Sequence, residues 1–172
     1  MSRALCRTRP VSQTDTALID LIAQRMRATL VEVEGEQAGT AMYTLDWLRD
    51  RVCWHLDPGA STAQVMVAED VHGDVLGHTI YRLEKPADGA AFGLVSTTYV
   101  MPHARRHGVA ALLLSCAEAW FQEKGLSRAA TWTSATNTPL LQLYERHGYV
   151  VVERAPNELT GTAMVRLERR FS

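Results

Sequence analysis

The stretch from Tyr99 to Gly125 limits the possible fold more than any other part of the chain. Val109, Leu112, Leu113, Cys116, Ala117, Trp120 and Phe121 recur at steps of three and four, so the spacing predicts a helix over 108–124 with one apolar face. Pro102 stops the strand-like run 92–101 in front of it, and Gly125 stands where a left-handed residue ends a helix. A short run with threonines and a tryptophan, 129–134, follows. Strand, one-faced helix and strand in that order make a unit that lays its helix across a sheet. The rest of the fold has to be built around it.

Residues 3–9 are expected to form a first strand. Leu18, Ile19, Ile22, Met26, Leu30 and Val31 predict a helix from Asp15 onward, with Thr14 or Asp15 as its cap. Gly35 to Thr40 reads as a loop. Tyr43, Leu45, Trp47, Leu48, Val52 and Trp54 then give a second, aromatic-rich helix ending before Pro58. Val65 and Val67, then Val75, Leu76 and Ile80, flank the turn Glu69 to Asp74 and predict a hairpin. Lys85 to Gly89 is a turn-rich loop. After Ser134, Asn137-Thr138-Pro139 opens a short helix with Thr138 as cap and Pro139 in its first position; it stops at Gly148. Strands at 149–154 and 163–169 close the chain. The order β-α-α-β-β-β-α-β-α-β-β indicates an α/β (α+β) mixed sheet, expected as one domain over 1–172.

Composition narrows the function. A length of 172 residues with 47% hydrophobic and 22% charged residues is that of an ordinary globular protein, which excludes disordered, collagen-like and disulfide-dense classes. The net charge of −1 gives no reason to expect nucleic acid or an anionic membrane as partner. Beneath that average, residues 31–100 carry the acidic excess and 101–172 the basic excess, consistent with one face for an anionic cofactor and another for a cationic acceptor. No bilayer-length apolar run and no secretion signal is visible, and Cys6, Cys53 and Cys116 are odd in number with no CxxC or zinc spacing, so a cytoplasmic, reduced setting is expected. We read all three as small core residues. His103 and His107 are four apart, but Pro102 and the loop between them argue against a helical metal pair, and no metal is expected.

The loop Arg105-Arg106-His107-Gly108-Val109-Ala110 lies between a strand end and a helix start. Amides at a helix start lack intrahelical partners and sit at the positive end of the helix dipole, which suits a phosphate or diphosphate. Gly108 and Ala110 keep the main chain accessible, and the arginines add charge and a fork that fits phosphate oxygens.

In these residues the chain resembles the GNAT superfamily of N-acetyltransferases. That family marks its acetyl-CoA site with [QR]xxGx[GA] after a strand of the form VxP, matched here by Val100, Pro102, Arg105, Gly108 and Ala110. Its second signature, an Asn followed by a short helix ending LYExxGF, is matched by Asn137 and Leu143 to Tyr149, with Tyr149 in place of Phe. The likeness covers residues 64–170 well and the first 60 by element order alone.

The resemblance implies a V-shaped opening between the strands at 94–100 and 129–134 that takes the pantetheine of acetyl-CoA. Main-chain groups near Tyr99 and Val100 would pair with it. Arg105, Arg106, His107, Gly108, Val109 and Ala110 would hold the diphosphate, Asn137 would help hold the cofactor, and Tyr144 would protonate the departing thiolate. The acceptor would be a primary amine of a small molecule or peptide, with a homodimer left open.

An amine of pKa near 10.4 costs about 4.6 kcal/mol to deprotonate at pH 7, so a base or water chain is needed. Many family members place a glutamate on the strand before the phosphate loop, but Val95-Ser96-Thr97-Thr98-Tyr99 holds no carboxylate. Glu69, Asp70, His78 or hydroxyls of Ser96, Thr97 and Thr98 waiting on waters remain open. An acyl-cysteine route has only Cys53 near His55 to offer. The first two helices would meet the acceptor, with Tyr43, Trp47 and Trp54 as an aromatic wall around an ammonium, aided by Glu32, Glu34 and Glu36 or Asp46 and Asp50. The absent strand carboxylate also leaves room for a non-catalytic acyl-CoA-binding regulatory module. A nucleotide binder is the remoter alternative, since GKS and GxGxxG motifs are missing.

Overall fold

The computed structural model describes residues 6–171. In chain order the elements are β1 (Cys6–Pro10), α1 (Thr16–Glu34), α2 (Glu36–Ala41), α3 (Leu45–Leu56), β2 (Ala63–Asp70), β3 (Val75–Glu84), β4 (Phe92–Val100), α4 (Val109–Glu123), β5 (Arg128–Ser134), α5 (Thr138–Arg146), β6 (Val150–Pro156) and β7 (Ala163–Arg170). One turn of 3-10 helix at Pro102–Ala104 links β4 to the loop before α4. The strands form a seven-stranded sheet in the order β1-β2-β3-β4-β5-β7-β6. All neighbouring pairs are antiparallel except β4 and β5, which run parallel because α4 carries the chain back between them.

Alternation along β2 divides the core into two layers. Val65 and Val67 face Ile19 and Ile22 of α1 and Val52 of α3, while Met66 and Ala68 face the layer of Leu113, Ala117 and Phe121 from α4 and Leu143 and Tyr144 from α5. Helices therefore cover both faces, which is why β2 is buried from Val65 to Glu69 without a polar-out pattern. Across the second layer, Tyr149 Oη donates to Glu118 Oε2 at 3.1 Å and Arg169 Nη1 to the same oxygen at 2.6 Å, tying α4 to the turn between α5 and β6 and to β7.

Two local readings are corrected. The segment expected as a loop after Gly35 forms α2, six residues held by Gly39, where a Cβ would overlap the main chain of Val31; close approach to α1, not propensity, makes this helix. Asn137, not Thr138, caps α5 by accepting from the Leu140 amide at 3.4 Å, which moves Pro139 one position inward. Thr44 caps α3 through the Trp47 amide at 3.0 Å. Of the expected first strand, residues 3–5 lie outside the described residues. Among those described, no helix is long and apolar enough to cross a membrane.

Phe121 is fully buried against Gly93 and Tyr81, at the level where β4 and β5 still pair. Phe121→Ala should lower unfolding free energy by about 3–5 kcal/mol in a denaturant titration; a loss below 1 kcal/mol would contradict this packing.

Candidate active site

The parallel ladder between β4 and β5 lasts for only three pairs, Gly93 with Ala129, Leu94 with Ala130 and Val95 with Thr131. At its last rung the Thr131 hydroxyl donates to the Val95 carbonyl at 2.9 Å, occupying an acceptor that a continuing ladder would use. On the other edge of β4 the register with β3 jumps from Val95 opposite Tyr81 to Thr97 opposite Ile80, leaving Ser96 as an unpaired bulge residue. A bulge bends its strand, and from here β4 leaves β5. The opening expected between these strands is thus present, and three local features generate it.

Beyond the bulge, Thr97 O accepts from Thr79 Oγ1 and the Met101 amide donates to Leu76 O, so these residues face β3. Alternation puts the main-chain groups of Thr98 and Val100 on the open edge and those of Tyr99 toward β3. Of the two residues expected to pair with a pantetheine arm, Val100 is therefore on the right side and Tyr99 is not. Tyr99 instead stacks its ring on His78, with centroids 6.2 Å apart.

The loop at the mouth has the expected main chain. Arg106 has φ of 68° and Gly108 has φ of 83°, two left-handed residues that curl the chain before α4. The first bond of the helix runs from the Leu112 amide to Gly108 O, and the amides of residues 106–111 have no acceptor among the described residues. A Cβ on Gly108 would meet no protein atom, so the glycine answers to its backbone angle and to whatever occupies the space outside. Arg106 and His107 are exposed beside these amides, Val109 is buried as the first core residue of α4, and Ala110 is half-buried. Arg105 has a different task from the expected phosphate fork. Its Nε donates to Val100 O at 2.8 Å, its Nη2 pairs with Glu32 at 2.8 Å, and its guanidinium lies 5.5 Å from the Tyr99 ring. It binds the loop to β4 and α1.

Behind the opening is a cavity of about 130 Å³ between the sheet, α1 and α5. Thr29, Leu30, Val33 and Glu34 come from α1, Ser96, Thr97 and Thr98 from β4, Thr131 to Ser134 from β5, and Asn137, Leu140 and Tyr144 from α5 and its cap. Tyr144 is 2% exposed. Burial raises its phenol above the ordinary value, and the hydroxyls of Thr131 and Thr98 oppose part of that rise. The side chain is thus a neutral proton donor through the physiological range. Asn137 both caps α5 and lines the cavity.

Several other candidates are elsewhere. Glu69 is held by Arg9 and Arg7, and Asp70 orders the β2–β3 turn by accepting from the amides of His72 and Asp74. His78 is fully buried under α1, its ring nitrogens without partners among the described residues, and burial aided by Arg25 pushes it down to about 3. Cys53 and His55 do not form a pair: the imidazole sits between Arg51 O at 2.8 Å and Arg82 Nη1 at 2.9 Å. Cys53 is exposed rather than a core residue, and no cysteine lines the cavity. No cluster of three or more His, Cys, Asp or Glu side chains able to hold a metal occurs among the described residues.

The aromatic wall also fails to assemble. Tyr43 and Trp47 stack on each other at 4.0 Å, Trp54 lies under Arg51, and the wider, open depression of about 460 Å³ beside Trp54, Asp50 and Cys53 holds neither Tyr144 nor the loop. Asp46 pairs with Arg49, and Glu36 is exposed. The aromatic that does reach the Tyr144 cavity is Trp132. Sequence reading gave it no site role; its place on the strand beyond the last parallel rung is the signal that points to it.

Comparison with known proteins bears on the family and the fold. The family model for the acetyltransferase (GNAT) family matches residues 3–149. No curated protein matches the chain. Among solved structures, a GCN5-related N-acetyltransferase from Kribbella flavida has a TM-score of 0.74 at 20% identity, over 96% of this chain and 98% of that one. The ribosomal-protein-alanine N-acetyltransferase from Brucella melitensis gives 0.71 at 17%, over 96% and 99%. The yncA protein from Salmonella typhimurium, a putative acetyltransferase with its cofactor acetyl-CoA, gives 0.70 at 18%, over 97% and 94%. At these identities the structures establish a shared fold, while the family model spans most of the sequence. The chain belongs to the GNAT family of acetyltransferases.

Proposed function

We propose that the protein is an N-acetyltransferase that passes the acetyl group of acetyl-CoA directly to a primary amine of a small molecule or peptide. The observation that carries this reading is that the open edge of β4 has the unpaired amides of 106–111 just beyond its end and, at Thr98, lines the cavity that holds a buried, neutral Tyr144. The residues present suit the cosubstrate. Curled amides at the start of α4 are donors for a diphosphate, with Arg106 and His107 beside them. The open edge of β4, at the main-chain groups of Thr98 and the amide of Val100, whose carbonyl Arg105 already holds, offers main-chain pairing to an amide-bearing arm such as pantetheine.

In the reaction the nitrogen lone pair forms the C–N bond to the acetyl carbon as the C–S bond breaks. Tyr144 gives its proton to the departing sulfur and regains one that the nitrogen has lost through water, so that one acetyl group moves and thiol CoA is released. Burial that raises the phenol also makes a thiolate beside it a stronger base, which keeps the transfer feasible although an ordinary thiol is more acidic than a phenol. The lack of any cysteine in the cavity favours direct attack over an acyl-enzyme.

Tyr144→Phe should reduce kcat by about 10²–10⁴ while changing the CoA dissociation constant less than about threefold; an unchanged kcat removes Tyr144 from the chemistry. The raised phenol means that Tyr144 stays protonated beyond the usual tyrosine range of about pH 10. Ultraviolet titration of the wild type and Tyr144→Phe should therefore coincide up to about pH 10, and a missing tyrosinate below that point contradicts the assignment. Gly108→Ala forces a side chain to φ of 83° and adds a methyl on the ligand side. CoA affinity measured by calorimetry should fall about tenfold or more, and unchanged affinity would place the diphosphate elsewhere.

A further inference from the structure

The cavity beneath the opening has one ionised side chain among its lining residues, Glu34. The remaining lining is apolar or aromatic, at Leu30, Val33, Trp132, Leu140 and Met164, or carries hydroxyls, amides and the neutral phenol of Tyr144; no lysine, arginine or histidine is present. Glu34 comes from α1 and Tyr144 from α5, and both line the same cavity. A group in this cavity has a carboxylate and a proton donor among its surroundings.

The carboxylate is held in place. Thr162 Oγ1 donates to Glu34 Oε2 at 2.7 Å and Thr160 Oγ1 to Oε1 at 3.2 Å, so both oxygens are fixed while each keeps capacity for another donor. Both threonines belong to the β6–β7 turn, which Asn157 orders by accepting from the amides of Leu159 and Thr160. A side chain set between two hydroxyls on an ordered turn is preorganised as an acceptor.

Its charge is unanswered. Glu34 ends α1, where the carbonyls of the last turn make a negative environment that favours cations and disfavours carboxylates. Glu32, two residues earlier, pairs with Arg105, but no cation among the described residues pairs with Glu34. A carboxylate placed against the helix dipole, fixed by neutral donors and facing a cavity without positive charge is completed by a cation from outside.

We propose, building on the acetyltransferase reading, that Glu34 binds the ammonium of the acceptor and thereby selects amines with no carboxylate beside the reacting nitrogen. Alkyl and aryl-alkyl amines, and amino acids whose carboxyl is masked as in a peptide N-terminus, fit this cavity. A free amino acid would bring an anion toward Glu34 with no basic residue to receive it.

The experiment first measures CoA binding by calorimetry, then acetyl-CoA-dependent thiol release with two pairs, leucinamide against leucine and tyramine against tyrosine. Glu34 selects as stated if kcat/KM for the carboxylate-free member exceeds its partner by about 10² or more. In Glu34→Gln, KM for the favoured amine should rise about tenfold or more, kcat should change far less, and CoA binding should stay as in the wild type. Equal use within each pair, or an unchanged KM in the variant, overturns the proposal while leaving the acetyltransferase reading intact. Should the variant not fold, the wild-type comparison decides alone. If CoA binds without turnover, titration of leucinamide and tyramine into the CoA-saturated protein decides: binding lost in Glu34→Gln supports the role of Glu34, and absence of binding refutes it. Failure to bind CoA overturns the acetyltransferase reading, and the role of Glu34 with it.

Discussion

The site depends on the place where β4 parts from β5. Three parallel pairs hold the strands together, with Phe121 packed behind Gly93 at the first of them, and then the Thr131 hydroxyl takes the Val95 carbonyl while Ser96 bulges out of register with β3. A sheet normally pairs every main-chain group it buries. Ending the ladder in the middle of the sheet leaves an open edge that has to be answered by something other than a strand. The cleft is therefore a consequence of where pairing stops, and the helices on either face decide what lines it.

From that constraint the rest follows in order. The crossover that makes β4 and β5 parallel is built on a helix, and α4 starts shortly after the end of β4 with its first amides unpaired. Arg105 keeps this start in place by reaching back to Val100 and across to Glu32, so a residue expected as a phosphate ligand holds the loop instead. On the far side, α5 follows β5 directly and places Tyr144 among Thr98 and Thr131, where burial keeps the phenol neutral. In the proposed reaction, binding and chemistry are set by two short connections, one leaving each arm of the same fork.

The division between what could be read in the sequence and what could not follows contact distance along the chain. The strand that stops before Pro102, the left-handed Gly125 after α4, the apolar stripe of α4 and the Asn137 to Tyr149 segment are local patterns, and the structure puts them together much as their spacing implies. What escaped is set by residues far apart. The side chain of Arg105 is directed by Glu32, α2 exists because Gly39 fits against Val31, and Glu34 is fixed by threonines beyond residue 156. Cys53 and His55 show the converse. Two residues apart in sequence, they are separated in use because Arg51 and Arg82 already hold the imidazole.

The most direct test of the central claim is to follow the main-chain amides themselves. In a nitrogen-15 correlation spectrum of the wild type titrated with CoA, the resonances of residues 106–111 should shift together and saturate, with Thr98 and Val100 following on the open edge of β4. Saturable binding that leaves the amides of 106–111 unmoved, or no saturation at millimolar CoA, would contradict the account.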